Sequence, residues 1–184
     1  AEARDITINP STKLFYVEVE QPDMHEPSGD LERLVRALEA EWGIENIHAD
    51  LHILHALQPV LRKGGWKVTV AIHLGDAENA PRIMHIWPGY YDGTVYGLAG
   101  DLGSTTIAGH LCELATGEVV ASSGSMNPQI RFGEDLMSRV SYGMMNAGGA
   151  LEMTQAVRDG MTALITQLAT EANVDKQLFV DAVF

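Results

Sequence analysis

Cysteine is nearly absent from this chain: Cys112 is alone among 184 residues. One thiol excludes an intramolecular disulfide, a four-cysteine iron–sulfur cluster and a cysteine-rich zinc site built from these residues. Its place in a predicted strand reads as that of a small buried residue. Cationic side chains are scarce too, with 12 Lys and Arg against 25 Asp and Glu, a formal net charge of −13. Such a surface repels phosphodiester backbones and anionic headgroups, which argues against nucleic acid and membrane as partners. An acidic face would suit a basic partner or serve only as a solvated surface. No apolar run reaches the ~18 residues a spanning helix needs, and the start Ala1-Glu2-Ala3-Arg4-Asp5 lacks the character of a signal peptide. The expected setting is cytoplasmic. An initiator Met is missing, and the strand-like end Leu178-Phe179-Val180-Asp181-Ala182-Val183-Phe184 has no polar tail, so a piece of a longer protein is expected. Neither internal repeats nor low-complexity segments stand out.

What is present reads as globular, with 46% hydrophobic and 20% charged residues over a length that can bury a proper core. Residues 5 to 20 alternate around Pro10-Ser11-Thr12, predicting an extended linker and then a strand at Lys13 to Val19. A loop over 21 to 29 precedes a helix carrying Leu31, Leu34, Val35, Leu38 and Trp42, capped by Ser28 or Asp30 and stopped by Gly43, with Glu32 and Arg36 paired on its wet side. A second helix starts at Asp50 with Leu51, Leu54, Leu57 and Leu61 inward, kinked by Pro59 and stopped by Gly64-Gly65. His48, His52 and His55 fall near one face of it; a metal site and a solvated polar face are the two readings, and no carboxylate or cysteine partner is apparent. Trp66, Val68, Val70, Ile72 and Leu74 alternate with Lys67, Thr69, Ala71 and His73, a half-buried strand, and Arg82 to Trp87 forms another after the turn Gly75-Asp76-Ala77-Glu78-Asn79. The aromatic cluster around Pro88 to Gly93 reads as packing at a junction.

The most informative stretch runs from Val95 to Leu114 and predicts a strand, a tight glycine turn and a returning strand. Aliphatic residues flank Asp101-Leu102-Gly103-Ser104-Thr105-Thr106, so an acid sits at a strand end before a turn bearing three hydroxyls in a row. Gly103 is expected to take backbone angles closed to other residues, letting successive amides converge on an anion. Ser104, Thr105 and Thr106 add hydroxyl donors, and Asp101 is placed to hold magnesium through its waters. An ordinary hairpin with a Thr-rich strand is the plainer alternative. A second turn follows at Thr116-Gly117. Phe132 to Met145 predicts a helix whose first-turn Glu134 and Asp135 favour its dipole or face a nucleotide. A longer helix from about Gly149 to Asn173 turns Met153, Val157, Met161, Leu164, Ile165 and Leu168 to one side, with methionine as core filling. Gly148-Gly149 lacks a preceding acid and is not read as a second phosphate motif.

The string from Gly97 to Val140, GLAGDLGSTTIAGHLCELATGEVVASSGSMNPQIRFGEDLMSRV, resembles the reductive activators of corrinoid proteins, ferredoxin-plus-ATPase proteins of the acetate and sugar kinase, heat-shock-70 and actin superfamily. The resemblance is close over residues 95 to 184 and weaker before. Leu102 and Ser104 stand where that family often has Ile and Thr, changes that keep the phosphate chemistry. It implies an α/β fold class: a linker over 1–12, a small middle α/β domain over 13–93, and over 94–184 the N-terminal part of an actin-like, RNase H-like ATPase. It implies ATP and Mg as cofactors of the intact protein, with phosphate on Asp101, Gly103, Ser104, Thr105 and Thr106 and Mg water-bound at Asp101. A 2Fe-2S cluster on a ferredoxin domain absent from this chain would supply one electron to reduce Co(II) corrinoid to Co(I) in a partner corrinoid protein. Homodimerisation stays open, as do a small-molecule kinase of the same superfamily and a non-catalytic partner-binding module. Family members bind nucleotide between two halves. With only the first half present, losing about 4 kcal/mol would carry a micromolar site towards millimolar, so the chain alone is expected to hydrolyse ATP negligibly.

Overall fold

A computed structural model describes residues 7–76 and 78–184. The first half of the expected linker and Ala77 of the expected turn lie outside the described residues. The chain divides into two compact units, Ala1–Thr94 and Val95–Phe184, both of mixed α/β architecture.

The first unit holds strands β1 (Thr12–Glu18), β2 (His48–Ala49), β3 (Lys67–His73) and β4 (Arg82–Pro88) and helices α1 (Asp30–Trp42) and α2 (Leu51–Lys63). Its sheet runs β1-β3-β4-β2, antiparallel except for the short parallel pair β2 and β4. Ala71 pairs with His85 and Ile72 with Ile83, so Met84 is the extra residue of a bulge. Leu34, Leu38, Ile53, Leu57 and Leu61 from the helices meet Val17, Val68, Val70, Ile72, Ile83 and Ile86 in one core.

Several local expectations shift. Gly29, not Ser28 or Asp30, caps α1, and Gly43 ends it in the left-handed conformation expected of such a stop. Arg36 pairs with Glu26, not Glu32, whose carboxylate turns back to the Gly29 amide instead. Arg33 is buried because its guanidinium donates to the carbonyls of Gln21, Glu26 and Ser28, tying down the preceding loop. Trp42 is half exposed, its Nε1 donating to the Tyr16 carbonyl at 2.7 Å. In α2 the core contact comes from Ile53, while Leu51 and Leu54 face solvent. Asp50 supplies the cap, and Pro59 sits inside the helix.

The strand β3 is buried on both faces. The segment after β4 folds back over it: the buried Thr69 hydroxyl donates to the Gly89 carbonyl at 3.0 Å and accepts from the Tyr91 amide at 2.9 Å. Trp87 stacks on Tyr91 with ring centres 4.5 Å apart, and His85 leans on Trp87. These contacts lie within the first unit, so the aromatic cluster there is packing.

The second unit holds β5 (Tyr96–Leu102), β6 (Thr106–Glu113), β7 (Val119–Met126), α3 (Leu136–Met145), α4 (Gly149–Ala172) and β8 (Phe179–Val183), with 3-10 turns at Pro128–Phe132 and Lys176–Leu178. Its sheet runs β7-β6-β5-β8. The first three strands form an antiparallel meander, and β8 returns through α4 to lie parallel to β5. Leu164 and Leu168 of α4 pack on Leu98, Leu111 and Ala121, with Met161 and Ile165 beside them, on the face that the spacing indicates. Gly117 makes the second hairpin turn with φ 72°. The helix expected from Phe132 begins only at Leu136, because Asp135 caps it and residues up to Phe132 wind as a 3-10 turn.

Candidate functional site

Strand β5 carries Asp101 to its end, residues 103–105 turn the chain, and β6 begins at Thr106. Asp101, Ser104, Thr105 and Thr106 are all exposed, so the five residues singled out by sequence gather on one open hairpin end. Gly103 is required there for a different reason than expected. Its φ lies outside the left-handed region; a Cβ at this position would lie 2.8 Å from the Thr106 carbonyl oxygen, so the turn closes too tightly for a side chain.

Two residues given no role by the sequence reading hold this turn from behind. Asn127, buried at the end of β7, donates from its backbone amide to the Thr105 carbonyl and from Nδ2 to the Gly103 carbonyl, both at 2.8 Å. Its Oδ1 accepts from the Gln129 amide at 2.9 Å, which starts the 3-10 turn. Arg139 reaches back from α3, donating from Nη2 to the Ser104 carbonyl at 2.5 Å and from Nε to the Gly133 carbonyl at 2.9 Å. The Asn-Pro pair after a strand was the available signal for Asn127; nothing local to Arg139 marks it.

Asp135 does not turn to the hairpin. Its Oδ1 accepts from the Ser138 amide at 2.7 Å and the Ser138 hydroxyl at 2.8 Å, and these bonds hold its carboxyl below the usual carboxylate range. Glu134 is exposed beside it. The three histidines of the first unit do not share a helix face, because His48 belongs to β2. His52 Nε2 lies 3.4 Å from the Met84 carbonyl. Among the described residues no three His, Cys, Asp or Glu side chains cluster to hold a metal, and no helix is long and apolar enough to cross a membrane.

Fold and turn together define a two-unit α/β protein whose second sheet ends in an open, hydroxyl-rich hairpin. Comparison with known proteins supplies the family. Residues 1–93 match the RACo linker region and residues 96–184 the RACo middle region. A solved structure of a reductive activator for corrinoid, iron-sulfur protein superposes with a TM-score of 0.75 at 30% identity, over 98% of this chain and 28% of that one. The corrinoid activation enzyme RamQ of Eubacterium limosum is 28% identical over 90 residues, 49% of this chain and 15% of that protein. The chain belongs to the RACo family, whose linker and middle regions it comprises. It spans less than a third of the length of either relative.

Proposed function

We propose that these residues are the linker and middle portions of an ATP-dependent reductive activator that returns the Co(II) corrinoid of a partner corrinoid protein to Co(I), a one-electron addition to cobalt. The observation that carries the reading is membership of the RACo family across both units, joined to the braced turn Asp101–Thr106 in the second. Both named relatives are corrinoid activators. The meander with a helical return to a parallel strand is what the opening of an actin-like ATPase half would need.

In this reading Ser104, Thr105 and Thr106 donate to phosphate oxygens, and Gly103 lets the turn close beneath them. The donor set fits: the hydroxyls are exposed and the turn's carbonyls are already engaged on the protein side. Asp101, one exposed carboxylate, fits water-mediated contact with magnesium better than direct ligation. Magnesium, when bound with ATP, neutralises charge on the phosphate oxygens. Cys112 cannot hold a 2Fe-2S cluster by itself, so the electron would come from a ferredoxin domain outside these residues. Calorimetric titration of the full-length gene product with Mg-ATP tests the site. Saturable binding weakened at least tenfold by Asp101→Ala is expected, and unchanged affinity in that variant overturns the assignment of the turn.

A further inference from the structure

Three consecutive carbonyls, those of Gly103, Ser104 and Thr105, are all bound by donors from Asn127 and Arg139. Across a trans peptide plane the C=O of one residue and the N–H of the next point in opposite directions. The amides of Ser104, Thr105 and Thr106 are therefore turned away from the bracing side. A turn of this length has no such preference of its own: a peptide flip would expose a carbonyl oxygen where an anion is to bind, replacing attraction with repulsion. Asn127 is suited to preventing it, because its backbone N–H, Nδ2 and Oδ1 are all committed and the residue is 2% exposed.

Arg139 adds charge. Its side chain is buried, and among the described residues no carboxylate forms an ion pair with it. Asp135 commits its Oδ1 to Ser138, yet it feels the Arg139 charge, which helps to lower its pKa, so exposed Asp135 offsets that charge in part without a salt bridge. A buried cation hydrogen-bonded only to carbonyls, one peptide behind an open turn, favours an anion on the far side.

We infer that Asn127 and Arg139 are positioning residues for phosphate: they lock the three peptides after Gly103 with their amides towards the ligand, and Arg139 places a positive charge behind them. This rests on the nucleotide reading of the turn. In the full-length protein, Asn127→Asp keeps the backbone donor and the acceptor for the Gln129 amide, and removes only the donor to Gly103. Mg-ATP affinity, measured by calorimetry, should fall about tenfold at pH 8, the scale of one lost hydrogen bond with a repulsive contact in its place. The ratio of variant to wild-type affinity should recover once the new carboxyl is protonated and donates to the Gly103 carbonyl again; burial moves its pKa up, and the Arg139 guanidinium on the neighbouring Ser104 carbonyl moves it down. A merely structural role would give no such recovery. If wild type binds Mg-ATP and Asp101→Ala does not, while Asn127→Asp binds like wild type or is weakened equally at every pH, the inference fails and the nucleotide reading stands. If wild type does not bind at all, the nucleotide reading fails and the inference with it. Should Asn127→Asp not fold, Arg139→Lys and Arg139→Met replace it. Lysine keeps the charge and should bind more tightly than methionine; equal affinity of both with wild type overturns the inference.

Discussion

Replacing Gly103 with alanine tests how tightly the hairpin is closed. The added Cβ would stand 2.8 Å from the Thr106 carbonyl oxygen, so the turn must open by roughly half an ångström. It has little freedom to do so, because its three carbonyls are held by Asn127 and Arg139. Overpacking of this kind costs about 1–3 kcal/mol. The restricted unfolded chain returns about 0.4–1 kcal/mol, leaving a net loss of roughly 1–2 kcal/mol. For a unit spanning Val95–Phe184, each kcal/mol lowers the melting temperature by about 4–8 °C, so calorimetry should show a drop of roughly 5–15 °C in its transition. Trp42, Trp66 and Trp87 all lie in the first unit, so tryptophan fluorescence distinguishes a local effect from general collapse. Mg-ATP affinity should fall alongside. An alanine variant that melts at the wild-type temperature and binds nucleotide equally would refute the tight-turn account.

Two other outcomes follow from packing and charge. Leu168, fully buried between α4 and the second sheet, should cost about 2–5 kcal/mol when cut to alanine, read as a lower denaturation midpoint of that unit; a loss below half of this would mean the helix repacks. His85, half-buried against Trp87, has its imidazolium disfavoured first by burial and then by His52, so its pKa lies below the ordinary histidine value. A depressed folded pKa means stability that is present above the unfolded value of about 6.5 and is lost as pH falls through the folded one. Urea midpoints by tryptophan fluorescence at pH 7.5 and 5.5 should therefore differ less in His85→Phe than in wild type, and equal differences would contradict this.

Long amphipathic patterns were readable in one dimension. The span and buried face of α4 follow from its apolar spacing, and β5, the turn and β6 from flanking aliphatics around a glycine. Short helices were ambiguous in phase: Leu51 and Leu54 are as apolar as Ile53 and Leu57, and only the sheet beneath decides which set is buried. Burial of Thr69 depends on the segment after β4 folding back, which alternation within β3 does not encode. At the site, the exposed donors announce themselves because they are consecutive. Of their braces only Asn127 leaves a local trace, its Asn-Pro pair, and their partners are not legible, since Asn127 lies 24 residues from Gly103 and Arg139 lies 35 from Ser104, and neither pair meets until the meander and α3 are in place.

In the proposed function, a nucleotide site on this chain is coupled to reduction of cobalt in a partner protein. The most direct measurement follows the Co(II) signal of a corrinoid protein by electron paramagnetic resonance, with the full-length gene product and a low-potential electron donor, with and without Mg-ATP. The signal should decay to Co(I) only when ATP is present, and Asp101→Ala should abolish the decay. Reduction at the same rate without ATP, or undiminished in Asp101→Ala, would contradict it.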